Sequence, residues 1–117
     1  MKVLLDENLP HRLRSNLGDH EVYTARYKGW AGLKNGELLT AAEADGFEVF
    51  LTGDQTLFYE QHLAVRRIAL VVLSSIDWHI LKNNLAVIQA ALDGATAGSF
   101  QEVWCGTFSR KKPGDRP

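Results

Sequence analysis

The sequence predicts an α/β fold: a three-layer α/β/α sandwich around a central, mostly parallel sheet of about five strands. Three observations support this prediction. Short apolar runs typical of strands alternate along the chain with segments of helical periodicity. The run 68–73 is apolar throughout, as expected for a strand covered on both faces. Right-handed crossovers favour parallel pairing, and the strand order 2-1-3-4-5 would place the first and third strands side by side.

The first third of the chain predicts two strands with a helix between them. The strands are residues 2–5 and 21–24, and a glycine-interrupted loop follows over residues 25–34. Pro10 suits the first turn of the helix, where its missing N–H has no partner to lose, and Asn8 would cap it. Leu13 and Leu17 would share its buried face, and Gly18 would end it.

The middle of the chain predicts a helix between two more strands. Asn35 is the expected N-cap of a helix that runs to residue 45 and is closed by Gly46. Residues 38, 39 and 42 would face inward, since they are apolar and helically spaced. Residues 48–52 form the predicted third strand and 68–73 the fourth. The stretch 55–63 is ambiguous, with one or two helical turns expected.

The last part predicts one long helix and an edge strand. Ser75 or Asp77 would cap the helix, and Gly94 would end it. Its apolar residues, which follow the 3.6 period, are Ile80, Leu81, Leu85, Ile88 and Leu92. Residues 100–108 mix polar and apolar positions, as expected for a strand at the edge of the sheet.

Size and composition bound the organisation. At 117 residues the chain is long enough for one domain, predicted over residues 1–108, with a basic and flexible tail at 109–117. No apolar run nears the roughly 18 residues that a membrane span needs, and the start leads directly into a strand rather than a signal peptide. The single cysteine, Cys105, fits a reducing cytoplasm and excludes a thiolate metal cluster.

Two aspartates stand at the ends of predicted inner strands. Asp6 follows the first strand and Asp54 follows the third. If these strands are neighbours, about 4.8 Å apart, both carboxylates reach one point, and a divalent cation would relieve their repulsion. The sequence therefore predicts a Mg²⁺ or Mn²⁺ site held by both. In the simpler interpretation Asp6 belongs to a polar turn and Asp54 caps the turn after its strand.

Other polar residues are candidates near this predicted site. Glu37 would lie in the first turn of the second helix, either favouring the helix dipole or completing the metal shell as a third catalytic acid. Glu7, Asn35 and Thr52 are predicted to contact the metal ligands and hold them in place without binding the metal themselves. The four histidines share no metal-ligand spacing, and no GxSxG, GxGxxG or Walker A motif is present.

Charge is distributed unevenly. A net charge of −1 argues against a globally basic nucleic-acid binder. Residues 26–34, however, hold three basic residues, two aromatics and no acid, and the tail holds Arg110, Lys111, Lys112 and Arg116 against Asp115. Both segments are either solvated surface or patches that attract a polyanion through counterion release. The candidates for contacts to RNA phosphates are Arg12, Lys28 and Lys34, and those for base stacking are Trp30 and Tyr27.

Four segments carry a resemblance to a known family. They read KVLLDENLP, HEVYTARYKGWAGLKNGELLTAA, FLTGDQTL and RRIALVVL. In them, the chain resembles the small PIN-like domain proteins of bacteria and archaea, which include VapC-type toxins, over residues 1 to about 90. The resemblance implies a compact α/β nuclease fold, an acidic cluster that binds Mg²⁺ or Mn²⁺, hydrolysis of RNA and, for many members, an antitoxin protein as partner.

The resemblance also assigns positions. Asp6 matches the first acidic residue of the family and Asp54 the later one at a strand end, while Glu37 falls beside the middle one. Relatives usually carry Asp where this chain has Asn35, and often a second acid where residues 55–57 read Gln-Thr-Leu. An amide is a weaker ligand than a carboxylate, so these departures bear on catalysis more than on fold.

Three functional hypotheses follow. The first is a metal-dependent ribonuclease, the toxin of a toxin–antitoxin pair, acting on RNA in the cytoplasm as a monomer or homodimer and without a membrane. The second is a non-catalytic PIN-like module that binds RNA or protein. The third is a receiver-like regulatory domain, which is disfavoured because receivers carry a lysine near the end of the last strand, and residues 104–108 contain none.

Overall fold

A computed structural model of the chain describes residues 1–55 and 66–106. Its five strands are β1 (Lys2–Leu5), β2 (Glu21–Thr24), β3 (Val49–Thr52), β4 (Ala69–Leu73) and β5 (Phe100–Val103). They form one sheet in the order β2-β1-β3-β4-β5, and every neighbouring pair is parallel. The predicted α/β class, the strand order and the adjacency of the first and third strands are confirmed.

Helices cover both faces of this sheet. They are a 3-10 helix (His11–Ser15), α1 (Asn35–Ala44), α2 (Trp78–Leu81) and α3 (Leu85–Asp93). Successive strand residues point to opposite faces, so Leu5 and Leu51 belong to one buried cluster and Leu4 and Phe50 to another. The first cluster is completed by the 3-10 helix, α2 and α3, and the second by α1. This is the three-layer arrangement that the sequence predicts.

The predicted helix after Pro10 proves to be a short 3-10 helix. Its hydrogen bonds run from the Leu13 N–H to the Pro10 carbonyl (3.1 Å) and from the Asn16 N–H to the Leu13 carbonyl (3.0 Å), which is the three-residue spacing of a 3-10 helix. Leu17 is buried, as expected, but beyond the helix. The prediction that Asn8 caps this helix is wrong. Pro10 occupies the N-cap position, where no side chain accepts a hydrogen bond, and Asn8 is used elsewhere.

The predicted last helix is broken into α2 and α3. Asp77 caps α2, since its Oδ1 accepts the His79 N–H at 2.9 Å, as one of the two predicted caps. The break follows from the two asparagines after α2. Asn83 Nδ2 donates to the His79 carbonyl (3.1 Å) and Asn84 Nδ2 to the Ile80 carbonyl (2.8 Å). These side chains take carbonyls that a continuing helix would use, and the chain restarts at α3.

The start of α1 differs from the prediction by one residue. Asn35 is the first helical residue, and Lys34 stands in the N-cap position with extended backbone angles of φ −74° and ψ 161°. The Glu37 Oε1 accepts the Lys34 N–H at 3.3 Å, so the backbone donor of the N-cap residue has a partner within the first turn of the helix. At the other end, Gly46 adopts φ +85°, the left-handed conformation that glycine tolerates best, and turns the chain toward β3.

Several predictions lie outside the described residues. They include most of the ambiguous stretch 55–63, residues 107–108 of the predicted last strand and the basic tail 109–117. The described part of β5 stands at the sheet edge, as predicted, and ends at Val103. In the described ranges, no helix combines the length and apolar character that crossing a bilayer requires.

Candidate functional site

The site begins with the register of two neighbouring strands. Leu5 of β1 pairs with Leu51 of β3, so both strands end at the same edge of the sheet. The Asp6 N–H donates to the Leu51 carbonyl at 2.9 Å and extends this pairing by one residue. The carboxyl ends of these inner strands therefore carry Asp6 and the turn containing Asp54 to one place, where α/β proteins bind ligands.

Thr52 connects the two aspartates. Its hydroxyl donates to Asp6 Oδ2 at 2.6 Å and accepts the Asp54 backbone N–H at 2.9 Å. The side chain is fully buried, so no water competes for the hydroxyl. Because both bonds use one oxygen, they fix the orientation of the Asp6 carboxylate relative to the Asp54 backbone. The sequence predicts that Thr52 supports the metal ligands without binding the metal. A hydrogen bond from its hydroxyl to Asp6 is the contact through which it would do so.

The electrostatic environment disfavours a charge on Asp6. Burial of the carboxyl group is the largest cause that raises its pKa, and the nearby negative charges of Asp54 and Glu7 add to the effect. The hydrogen bonds from the Thr52 hydroxyl and the Glu7 backbone oppose it without reversing it. In the described part of the chain, no lysine, arginine or histidine forms an ion pair with Asp6. A bound cation would supply the positive charge that this carboxylate lacks.

Gly53 is packed too tightly to carry a side chain. A Cβ atom there would lie 2.4 Å from Ile76 Cγ2 and 3.4 Å from Leu9 Cδ2. Its N–H donates to Asn8 Oδ1 at 3.4 Å, so the Asn8 side chain also links the turn after β1 to the backbone of the turn after β3. Sequence reasoning did not identify Gly53 and Asn8 as parts of the site. The only sequence signal for them is that each lies within two residues of one of the aspartates.

Glu37 makes a contact of its own in the first turn of α1. Its carboxylate accepts the Lys34 N–H and is exposed. Within residues 1–55 and 66–106, no three His, Cys, Asp or Glu side chains gather in a way that could hold a metal ion. The structure thus brings together Asp6, Thr52 and Asp54, while the role of Glu37 as a third ligand stays a prediction. The same holds for Asn35, which is half-buried as the first residue of α1.

Glu7 anchors the loop over residues 25–34. Its Oε2 accepts the Arg26 N–H at 2.9 Å, and its Oε1 lies 3.6 Å from Arg26 Nε and 3.4 Å from His11 Nε2. The side chain therefore holds the loop against the turn after β1. Its influence on Asp6 is through its charge, which raises the Asp6 pKa.

Two of the predicted RNA-binding residues, Lys28 and Trp30, contact other side chains at the amino ends of the strands, opposite the aspartates. Lys28 Nζ lies 2.8 Å from Asp45 Oδ2, and Lys2 at the start of β1 contacts the same oxygen at 3.3 Å. Trp30 packs edge-to-face on Phe47, with ring centroids 5.8 Å apart. Asp45 and Phe47 precede β3, so Lys28 and Trp30 lie toward the amino ends of the strands, away from Asp6.

Two further candidates, Arg12 and Lys34, lie on elements that begin near the carboxyl ends of the strands. The Arg12 guanidinium stands 5.6 Å from the centroid of the Trp78 ring, a cation–π contact between the segments that follow β1 and β4. Lys34 is exposed at the start of α1. Arg12 and Lys34 therefore stay predicted phosphate contacts, on elements that begin at the end of the sheet that carries the two aspartates.

Searches of protein-family models, of curated proteins and of solved structures found no match to this chain. The resemblance to PIN-like proteins stays a prediction that rests on the sequence segments quoted above.

Proposed function

We propose that this protein is a PIN-like ribonuclease that hydrolyses RNA phosphodiester bonds with Mg²⁺ or Mn²⁺. One observation carries the proposal. Asp6 and Asp54 follow neighbouring parallel strands and are joined through the Thr52 hydroxyl, at the sheet edge where α/β proteins bind ligands. The raised pKa of Asp6 supports it, because perturbed carboxyl groups concentrate at functional sites.

The donor set fits a hard divalent cation. It offers carboxylate oxygens from Asp6 and Asp54, and Mg²⁺ typically takes one or two protein carboxylates while keeping several waters. The Thr52 hydroxyl directs its proton to Asp6 Oδ2 and so keeps that carboxylate in one orientation. A buried carboxylate with a second acid nearby is costly when ionised, and a cation offsets that cost.

Each residue would have a separate task in the reaction. Asp6 and Asp54 would hold the cation, and Thr52 would keep Asp6 oriented. Leu9 and Ile76 pack around Gly53 and leave no room for a side chain in the turn. When bound, the cation supplies positive charge at the scissile phosphate and lowers the pKa of water. Arg12 and Lys34 would position the RNA backbone by contacts with phosphates.

The biological setting is part of the proposal. The family resemblance favours a cytoplasmic toxin held inactive by an antitoxin protein, acting on single-stranded RNA as a monomer or homodimer. A small DNA-binding antitoxin encoded by a neighbouring gene would support this setting. Its absence would leave the ribonuclease proposal in place and remove the toxin role.

Cleavage of an unstructured RNA by the purified protein tests the proposal. We expect weak cleavage with Mn²⁺, none with EDTA, and none by Asp54→Ala with Mn²⁺. Asp19→Asn is the matched control, since Asp19 is an exposed acid before β2, at the amino end of the sheet. Cleavage by Asp54→Ala at the wild-type rate would refute the assignment, as would loss of cleavage in Asp19→Asn alone.

A second function, a PIN-like module that binds RNA or protein without cutting, is favoured by one observation. In the described residues, no third acid joins Asp6 and Asp54, and Asn35 stands where the family carries an acid. Asn35→Asp separates the two functions. If wild type binds RNA without cleaving it and Asn35→Asp cleaves, the wild-type protein is the binding module.

A further inference from the structure

A cavity of about 200 Å³ opens at the carboxyl ends of β4 and β5. Behind its floor lie the last residues of these strands, Val72, Leu73 and Val103, which are apolar and at most 4% exposed. Its walls include the side chains of Gln55 and Trp104. The cavity thus lies at the same edge of the sheet as Asp6 and Asp54, but over the adjacent pair of strands.

Trp104 gives this cavity an aromatic wall that solvent reaches. It follows β5 directly, and 57% of its surface is exposed although it lines the cavity. An indole ring is a stacking platform for any nucleobase, because every base has an aromatic face. The apolar ends of β4 and β5 suit the same planar ligand.

Polar groups complete the walls. The Gln55 side chain is held in place by its Nε2, which donates to the Ser74 carbonyl at 3.2 Å. The Ser74 hydroxyl accepts the Cys105 N–H at 2.8 Å, which fixes the segment on either side of Trp104 relative to β4. Glu102 pairs with Val72 in the sheet and also lines the cavity. The combination of an aromatic wall, an apolar floor and polar groups matches the flat faces and polar edge of a base.

The cavity is connected to the proposed cation site through the chain. Gln55 follows Asp54 directly, so one turn contributes to both. The pair β4–β5 lies two strand spacings from the pair β1–β3, which is about 10 Å. We propose that this cavity binds one nucleobase of a single-stranded RNA, stacked on Trp104, while the backbone of a neighbouring nucleotide lies at Asp6 and Asp54.

This inference rests on the proposed function for its ligand class, but its test does not require cleavage. The sequence adds one argument for a nucleic acid over a protein partner. The chain beyond Gly106 carries Arg110, Lys111, Lys112 and Arg116 against a single acid, Asp115. A strongly basic segment close in sequence to Trp104 suits a polyanionic ligand.

The experiment is a binding titration of a fluorescently labelled single-stranded RNA in EDTA, where the proposed nuclease is silent. We expect Trp104→Ala to raise Kd by about 5- to 150-fold, the range that the loss of one stacked base gives. Trp104→Phe should keep most of the affinity, because a phenyl ring still stacks. The matched control is Val87→Ala, which shortens an apolar side chain that is 44% exposed on α3 and lines neither proposed site. Its Kd should stay within about twofold of wild type, the usual effect of a surface substitution.

The outcomes separate this inference from the nuclease proposal. An unchanged Kd in Trp104→Ala, an equal loss in Val87→Ala, or no RNA binding by wild type would overturn the base site. Trp104-dependent binding by a protein that never cleaves would keep the base site and reject the nuclease. If Trp104→Ala still cleaves RNA and its Kd is unchanged, the nuclease proposal is kept and the base site is rejected. Melting temperatures of all variants show whether any loss comes from unfolding.

Discussion

The two ends of the sheet shift the pKa values of their acidic residues in opposite directions. At the amino end, Asp45 contacts Lys28 at 2.8 Å and Lys2 at 3.3 Å, and these hydrogen bonds hold its pKa below the usual range. At the carboxyl end, burial and the charges of Asp54 and Glu7 raise the pKa of Asp6. The fold stabilises the Asp45 carboxylate as an anion, whereas it holds the Asp6 carboxyl group in an environment that disfavours the anion.

Glu43 extends the pattern of the amino end. Burial, the largest single influence, raises its pKa, but hydrogen bonds from the backbone of Arg67 and Ile68 and from the Arg66 guanidinium lower it below the usual value overall. The Arg66 Nη1 lies 3.2 Å from Glu43 Oε1. Glu43 thereby ties the end of α1 to the segment that leads into β4.

The contrast separates acids that gain partners in the fold from one whose charge the fold disfavours. Acids that only build structure gain partners, as Asp45 and Glu43 do. Asp6 differs from them, because burial disfavours its charge. Acids with such a perturbed pKa occur in proteins mainly at functional sites. The comparison predicts that substitutions at the carboxyl end change binding and activity, while those at the amino end change stability.

The largest expected effect is on metal binding by Asp6→Asn. Substituting residues that only support a metal ligand costs about 10- to 100-fold in affinity, so replacing a ligand should cost more and leave no Mn²⁺ binding detectable by calorimetry. Glu43→Gln is the matched control at the amino end and should bind Mn²⁺ as wild type does. Unchanged Mn²⁺ affinity in Asp6→Asn would show that Asp6 is not a metal ligand. It would also contradict the expectation that substitutions at the carboxyl end of the sheet change binding.

Next in size is the loss of stability expected for Glu43→Ala. It removes the acceptor of the Arg67 and Ile68 N–H groups and one of the acceptors of the Arg66 guanidinium. The free energy of unfolding should fall by about 1–3 kcal/mol, the usual penalty for unsatisfied, partly buried donors. Urea denaturation in EDTA measures it. A midpoint equal to that of wild type would show that the amino-end carboxylate is not structural.

A smaller effect is expected for Thr52→Val, which removes the hydroxyl between Asp6 and Asp54 and keeps a similar shape. Mn²⁺ affinity should fall by about 10- to 100-fold, as for other residues that orient a ligand. Thr52→Ser retains the hydroxyl and should bind almost as well as wild type. Equal losses in both variants would point to packing, rather than the Asp6 hydrogen bond, as the role of Thr52.

The smallest effect is a pH-dependent change in stability. The folded-state pKa of Asp6 is raised above its ordinary value of 3.8, so the protonated form is favoured and stability falls as the pH rises through the folded-state pKa. Asp6→Asn should therefore raise the melting temperature in EDTA at pH 7, and the gain should vanish as the pH approaches 3.8.

Asp45→Asn is the control of opposite sign. The pKa of Asp45 is lowered from 3.8, so its contribution to stability is present above that pH and is lost in acid. Its removal should lower the melting temperature at pH 7 and have no effect at low pH. Shifts of the same sign in Asp6→Asn and Asp45→Asn would contradict the difference between the two ends of the sheet.

The sequence by itself determined the sheet. Each strand is a local apolar run, and the alternation of strands with helices leaves few topologies. One of them is the observed order β2-β1-β3-β4-β5, which places the ends of β1 and β3, and so Asp6 and Asp54, at one edge of the sheet. Helix boundaries were less well determined. Whether Asn84 continues a helix or ends it depends partly on the Cys105 carbonyl, which lies 21 residues away and also accepts its side chain (3.2 Å).

Only the tertiary structure decided what each polar side chain does. A lysine in a basic, aromatic loop looks the same in sequence whether it faces a phosphate or an acid. Lys28 contacts Asp45, 17 residues further along the chain, because the loop after β2 folds toward the amino end of the sheet. Thr52 reaches Asp6 across 46 residues, and Gly53 meets Ile76 from a third strand end. Such contacts depend on the packing of segments far apart in sequence, and local periodicity carries no information about them.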